Sequence, residues 1–376
     1  MNKLKEWVKN QCLPRIVFIP YFIFKIIPVP FGYIKKNKVD KKDTILCVEA
    51  GVKGWESIEF KELYQSACEY IGKDSVHKVM IQSDDCYTSQ LKTAIRELQP
   101  THYLYDPRTG NQKWYIGMWQ SYKVAWLLHI YGVVPVVLLT DLAFRTWRAQ
   151  SAIVTAKYGI VISCIAPRKV SSIFPHSRLV GPSLMPLSVN TMSYLDALFE
   201  KRPTHFRPLK TAVFTGSLYE PRTTILKKIA AELDNYGCSL DFKGRKMGGA
   251  RMSDDEYWKI LSHSPIIITT ADQLESKDSD WTWIMHLLYR YLEVLAAGAL
   301  LIAPEVPGIR RYFIPGQHFI PFTSAADAAK KIDFYLSHHN EREMIAKQGR
   351  EQAKALVAAR TFWMNVDSGL GKNSLT

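Results

Sequence analysis

His286, Arg290 and Glu293 stand at i, i+4 and i+7, the spacing of residues that share one helix face. An imidazole, a guanidinium and a carboxylate gathered in this way form a constellation that could carry chemistry. The same spacing also describes a solvated Arg–Glu pair at i, i+3, worth about 0.2–0.5 kcal/mol on a helix surface. Spacing alone leaves both readings open. Among the ten histidines there is no HExxH and no other paired metal spacing. The six cysteines, Cys12, Cys47, Cys68, Cys86, Cys164 and Cys238, contain no CxxC, which argues against a zinc knuckle and a disulfide framework and for a reducing compartment.

The elements that would position such residues follow from the apolar pattern. From residue 44 short apolar runs alternate with helical periodicity, as in α/β units around a parallel sheet. Strands are predicted over Thr44–Ala50, Lys78–Gln82, Tyr103–Tyr105, Val133–Thr140 and Ile160–Ile165. Helices are predicted over 58–71, 87–98, 114–131 and 142–157, with Gly132 and Gly159 where a C-cap favours glycine. Residues 166–210 lose this rhythm and carry six prolines, which reads as a connection rather than a folded unit.

A second alternation begins at Thr211: strand 211–215, helix 221–236 with Pro221 in its first turn, and strand 239–242. A helix capped by Ser253, with Glu256 completing a capping box, leads to strand 265–270, helix 283–297 and strand 299–303. Helices near 324–337 and 340–358 close the pattern. The expected organisation is an N-terminal arm (1–42), a Rossmann-like domain (43–185), a linker (186–210), a second Rossmann-like domain (211–350) and a C-terminal helix and tail (351–376). Two such domains leave a cleft between the carboxyl ends of their sheets, where open α/β folds bind ligands.

The 376 residues exceed one ordinary core, and 47% hydrophobic with 22% charged residues is the balance of a globular protein. Of the net +14, +8 lies in residues 1–42, which hold ten basic and two acidic side chains. The apolar run 16–34 is broken by Pro20, Lys25, Pro28 and Pro30, so it suits neither a spanning helix nor a signal peptide. Residues 3–12 read as a basic amphipathic helix, with Leu4, Trp7, Val8 and Cys12 on one face. It can lie on an anionic membrane surface or pack as an arm on the first domain. The location expected is cytoplasmic, including peripheral attachment to the inner face of a membrane.

Arg290-Tyr-Leu-Glu293-Val-Leu-Ala-Ala-Gly298, followed by the strand 299–303 and Pro307-Gly308, resembles the C-terminal donor domain of GT-B glycosyltransferases. It looks most like the "glycosyl transferases group 1" branch that includes the CgeB-like proteins. The resemblance runs over roughly 184–350 and takes in Pro186-Leu-Ser-Val-Asn190, Phe214-Thr-Gly-Ser217 with Arg222, Tyr257-x-x-x-Leu261 and Ile345-Ala-x-x-Gly349. Gly132-Val-Val-Pro135 and the strand ending at Asp141 are similar to the last part of the family's N-terminal domain.

The resemblance implies a nucleotide-sugar donor whose diphosphate is held by cations and helix N-termini. Arg222 would present its guanidinium at a helix start, and Gly216 would allow close backbone approach. Arg245 and Lys246 would form a second basic loop after a strand, although a solvated basic turn reads the same way. Glu293 would accept the ribose hydroxyls, Arg290 would neutralise the leaving diphosphate, and His286 would stand beside them in the donor site. Met285 occupies the position where many retaining members have a first glutamate, so retention is not implied. An inverting reaction would need a general base, for which Asp141 and then Glu49 are the candidates. A strand-end carboxylate can equally cap the next helix. Asp278-Ser-Asp280 is a DxD triplet of the kind that binds metal in GT-A enzymes. Here seven residues separate it from its strand, so it reads as a surface loop, and no metal or cofactor is expected.

The function expected is metal-independent transfer of a sugar from a nucleotide-sugar to a glycan or lipid-linked acceptor. A catalytically inactive GT-B scaffold that binds a glycan or a partner is the alternative, which Met285 permits. Nucleic-acid binding would draw on the basic surplus and 45 aromatic residues, but no RNP pattern, helix-turn-helix or basic repeat supports it. No nucleic-acid partner is expected.

Overall fold

The computed structural model describes residues 44–51, 57–82, 87–106, 114–139, 155, 159–164, 171, 174, 177–202, 210–218, 220–246, 252–270 and 286–370. The N-terminal arm and helix 142–157, apart from Thr155, lie outside these residues. Sheet one is parallel, in the order β2-β1-β3-β4-β5-β6. Its strands are β1 (Ile45–Gly51), β2 (Val76–Gln82), β3 (His102–Tyr105), β4 (Val134–Leu139), β5 (Ile160–Ser163) and β6 (Arg178–Val180). Helices α1 (Ile58–Ile71), α2 (Tyr87–Leu98) and α3 (Trp114–Tyr131) connect the first four strands. Their bounds coincide with the helices predicted over 58–71, 87–98 and 114–131. The pattern indicates five strands; β6 adds a sixth, because three residues are too few to show a period.

Sheet two is also parallel, in the order β11-β10-β9-β7-β8, with β7 (Thr211–Leu218), β8 (Ser239–Lys246), β9 (Ile266–Ile268), β10 (Leu300–Ala303) and β11 (Ile320–Pro321). Between the sheets lies α4 (Val189–Glu200), and after β7 come α5 (Arg222–Asp234), α6 (Asp254–His263) and α7 (Arg290–Ala297). The chain closes with α8 (Ala325–Ser337), α9 (His339–Ala358) and α10 (Thr361–Leu370). Strands covered on both faces read as unbroken apolar runs, and Ile266, Ile267 and Ile268 are fully buried. Strand alternation divides them. Phe214, Ile266, Ile268, Leu300 and Ile302 face the core under α5 and α8. Val213, Ile267, Leu301 and Ala303 face a core that takes in α6, α7 and the whole of sheet one. The helices α6 and α7 are therefore on the side shared with the first domain.

The connection 186–210 contains a folded element, contrary to its proline-rich appearance. Ser188 caps α4 by accepting from the Thr191 amide at 3.1 Å. Much of its further support comes from α1. Glu62 accepts from the Ser188 amide at 2.7 Å and the Thr191 hydroxyl at 2.6 Å. Glu69 accepts from the Val189 amide at 2.8 Å and the Asn190 amide at 3.2 Å. Gln65, between them on the same face of α1, accepts from the Ser188 hydroxyl at 3.1 Å. These groups answer the orphan amides and dipole of a helix start. The last helix also returns to the first domain: the Trp363 indole donates to Ser66 Oγ at 3.0 Å, and Tyr70 donates to Asp367 at 2.6 Å.

Candidate active site

In sheet two the chain runs outward from β7 to β8 and then returns to β9 on the other side of β7, so the switch point lies between β7 and β9. Gly216, Arg222, Arg290 and Glu293 collect at that carboxyl-terminal edge. Gly216, near the end of β7, has φ +136°, a conformation that favours glycine. A Cβ on it would lie 3.4 Å from the Phe214 ring and 3.5 Å from Arg290 Nη2. Both are ordinary contact distances, so the backbone conformation calls for glycine here, and the Arg290 guanidinium lies in contact range of the strand.

Arg290 is the first residue of α7. Its Nη1 donates to Thr215 Oγ1 at 2.7 Å and to the Tyr257 hydroxyl of α6, and it stands 3.8 Å from Glu293 Oε2. The guanidinium also lies 5.1 Å from the Tyr257 ring centroid. Glu293, one turn along α7, is buried. The Arg290–Glu293 pair is therefore a buried pair within a network, not a solvated surface pair. Burial pushes the Tyr257 phenol well above its ordinary range; Arg290 pulls it down, while Glu293 and Glu59 push it up. For Arg290 burial works against the charge, but Tyr257, Glu293 and Glu59 outweigh it and raise the pKa. At neutral pH the network holds a neutral phenol beside a charged guanidinium. Glu59 comes from the first turn of α1, in the first domain.

Arg222 opens α5, as its position after Pro221 suggests, and its Nη1 donates to the Ser217 carbonyl at 3.2 Å. Its guanidinium lies 5.9 Å from the Phe214 ring, the same ring that approaches Gly216. Arg245 and Lys246 belong to β8 rather than to a loop after it, because β8 stays paired with β7 to its end. Their backbones lie opposite Ser217 and Leu218, and their side chains are outside the described residues.

His286 is a correction. The helix predicted over 283–297 begins at Arg290, and residues 286–288 are not helical. The Leu287 amide instead donates across to the Cys164 carbonyl after β5, at 2.9 Å. His286 is buried ahead of the helix and does not share a helix face with Arg290 and Glu293. Glu49 lies in β1 with its side chain outside the described residues; Asp141, Asp278, Asp280 and Met285 are wholly outside them.

Sequence reasoning assigned no role to three groups in this network. Thr215 and Tyr257 lie within stretches that the resemblance takes in, but without a role of their own, and Glu59 carries no local signal. Tyr257 lies four residues before the fully buried Leu261, a spacing that indicates a core face and not what its hydroxyl meets. A further polar atom, the Thr270 hydroxyl just after β9, is buried with no hydrogen-bond partner among the described residues. Among those residues no three His, Cys, Asp or Glu side chains gather as a metal site.

Residues 222–361 match the family model described as "Glycosyl transferase-like". Compared with curated protein sequences, the chain has no significant match. Among solved structures, HepE from Anabaena in complex with UDP and glucose superposes with a TM-score of 0.55 at 12% identity, covering 87% of this chain and 99% of that one. Sucrose-phosphate synthase from Thermosynechococcus elongatus superposes with a TM-score of 0.54 at 12% identity, covering 86% and 98%. At such identities the likeness shows the fold, which is the GT-B arrangement of two Rossmann-like domains. The resemblance to glycosyltransferases holds at this level, and the CgeB-like branch is not singled out.

Proposed function

For a GT-B chain whose residues 222–361 form a glycosyl transferase-like domain, we propose transfer of a sugar from a nucleotide-sugar donor to a glycan or lipid-linked acceptor, without a metal ion. The observation that carries this reading is the cluster of Gly216, Arg290 and Glu293 at the switch point of sheet two, inside or next to the matched region. Sheet two is the donor side and sheet one the acceptor side. Arg290 and Arg222 compensate the diphosphate charge as the bond to the sugar breaks, and Arg245 and Lys246 add to that field. Glu293 accepts the ribose hydroxyls. An inverting reaction would take its base from Asp141 or Glu49. UDP is the first nucleotide to test, since HepE, on the same fold, was solved with it.

Peripheral attachment to an anionic membrane belongs to the same proposal. It draws support from the +8 of residues 1–42 and from α3, which has no acidic residue and exposes Trp126, Ile130 and Tyr131. No helix among the described residues is long and apolar enough to cross a membrane. Met285 favours a second reading, an inactive scaffold that binds a glycan or partner. A thermal-shift screen against UDP, GDP, CMP, ADP and their sugars separates the two. A nucleotide-dependent rise in melting temperature supports the enzyme, and no rise with any of them favours the scaffold.

A further inference from the structure

Arg290 can bind a diphosphate only if its guanidinium is held with donors free, and the Arg290 contacts show how this is done. Among the described residues its hydrogen bonds all leave from Nη1, to Thr215 Oγ1 at 2.7 Å and to the Tyr257 hydroxyl. Nη2 lies beside Gly216, 3.5 Å from where a Cβ would be, at the edge where β7 ends. The planar guanidinium has five N–H donors in a fixed fork, so fixing Nη1 also fixes the direction of the others. The Tyr257 ring, 5.1 Å from the guanidinium, limits its tilt, and Glu293 stands 3.8 Å from the same Nη1 that the phenol accepts from. The hydroxyl thus accepts from the cation at the nitrogen that also faces the carboxylate.

We propose that Tyr257 is a positioning residue of the donor site, which holds the Arg290 guanidinium in one geometry beside Glu293 so that the free edge of Arg290 meets the diphosphate of the donor. This inference rests on the donor-site reading and deepens it. Tyr257 itself touches no substrate and acts through Arg290. Its place is set from elsewhere: Ser253 caps α6, Trp258 and Leu261 are buried beneath the helix, and Lys61 of α1 pairs with Asp254 at 2.5 Å. The site on sheet two is thereby built against the first domain. Loss of the hydroxyl leaves Nη1 held, among the described residues, by Thr215 alone, while the ring in Tyr257→Phe preserves the packing.

The test is isothermal titration of wild type and Tyr257→Phe with the nucleoside diphosphate that binds wild type most tightly among UDP, GDP, CDP and ADP, and with its parent nucleoside. The expected result is about a tenfold loss of affinity for the diphosphate, equivalent to about 1.4 kcal/mol, with nucleoside affinity unchanged. A role confined to packing would weaken both ligands alike. In an Arg290→Met background, Tyr257→Phe should have no further effect on the diphosphate. Wild-type affinity in Tyr257→Phe, or equal losses for diphosphate and nucleoside, would overturn the proposal while leaving the donor site in place. Failure of wild type to bind any of the four diphosphates would overturn the donor site and this inference with it.

Discussion

Arg290→Met tests whether the Arg290–Glu293 pair stabilises the second domain as well as serving the site. Methionine keeps an unbranched stem and removes the charge. The wild-type side chains are 17% and 6% exposed, so the variant leaves Glu293 as a nearly buried carboxylate facing a neutral neighbour. It also removes the donor to Thr215 Oγ1, itself buried. Two hydrogen bonds from a charged group contribute about 1.5–3 kcal/mol each, partly offset because the guanidinium no longer has to be desolvated. Breaking one side of a buried pair costs about 3–5 kcal/mol, which fits that sum. For a domain of this size 1 kcal/mol moves the melting temperature by about 2–4 °C, so a fall of roughly 6–20 °C is expected by differential scanning fluorimetry. Arg290→Met/Glu293→Gln removes the stranded charge at nearly unchanged volume. It should return to within about 1.5 kcal/mol of wild type, a recovery of about 1.5–3.5 kcal/mol over Arg290→Met. Both variants should bind the donor at least tenfold more weakly than wild type. A loss below about 1 kcal/mol in the single variant, or a double variant as unstable as the sum of the singles, would refute the reasoning.

Two further outcomes follow from contacts away from the site. Glu62→Ala strips the start of α4 of the carboxylate that accepts from Ser188 and Thr191, leaving a buried amide without that acceptor. The expected loss is about 2–4 kcal/mol by thermal unfolding, with nucleotide affinity of the folded fraction unchanged. His318 is buried, which holds its pKa below the ordinary histidine value, and its Nδ1 accepts from the Ile314 amide at 3.0 Å. Its stabilising contribution is therefore complete above the unfolded pKa of about 6.5 and is lost as pH falls through the lower folded value. Melting temperature against pH should fall on that limb in wild type and fall less in His318→Asn; identical slopes would contradict the assignment.

Both sheets were legible because parallel strands buried on two faces leave apolar runs such as Ile266–Ile268, and because α1 and α2 show helical periodicity, while α3 is an apolar run long enough to be a helix. The Ser253 cap was legible from its own residues and accepts from the Glu256 amide at 3.2 Å. The unread elements depend on partners distant in sequence. The start of α4 is held by Glu62 and Glu69, more than 110 residues earlier, so its proline-rich surroundings dominate the local signal. The apolar spacing of α7 continues back through Leu287, but the amide there bonds to Cys164 in the first domain instead of continuing the helix. The site follows the same division. Gly216, Arg222, Arg290 and Glu293 could be singled out from motif order, whereas Thr215 and Tyr257 matter through contacts with Arg290 across 75 and 33 positions.

The donor-site account is tested most directly by isothermal titration of the nucleotide-sugar found in the thermal-shift screen, beginning with UDP-glucose, into wild type, Arg222→Ala and Glu293→Gln. Saturable one-to-one binding to wild type, with affinity at least tenfold weaker in each variant, is the result predicted, and each variant should retain a cooperative melting transition. Full wild-type affinity in both folded variants would contradict the placement of the donor at the carboxyl-terminal edge of sheet two.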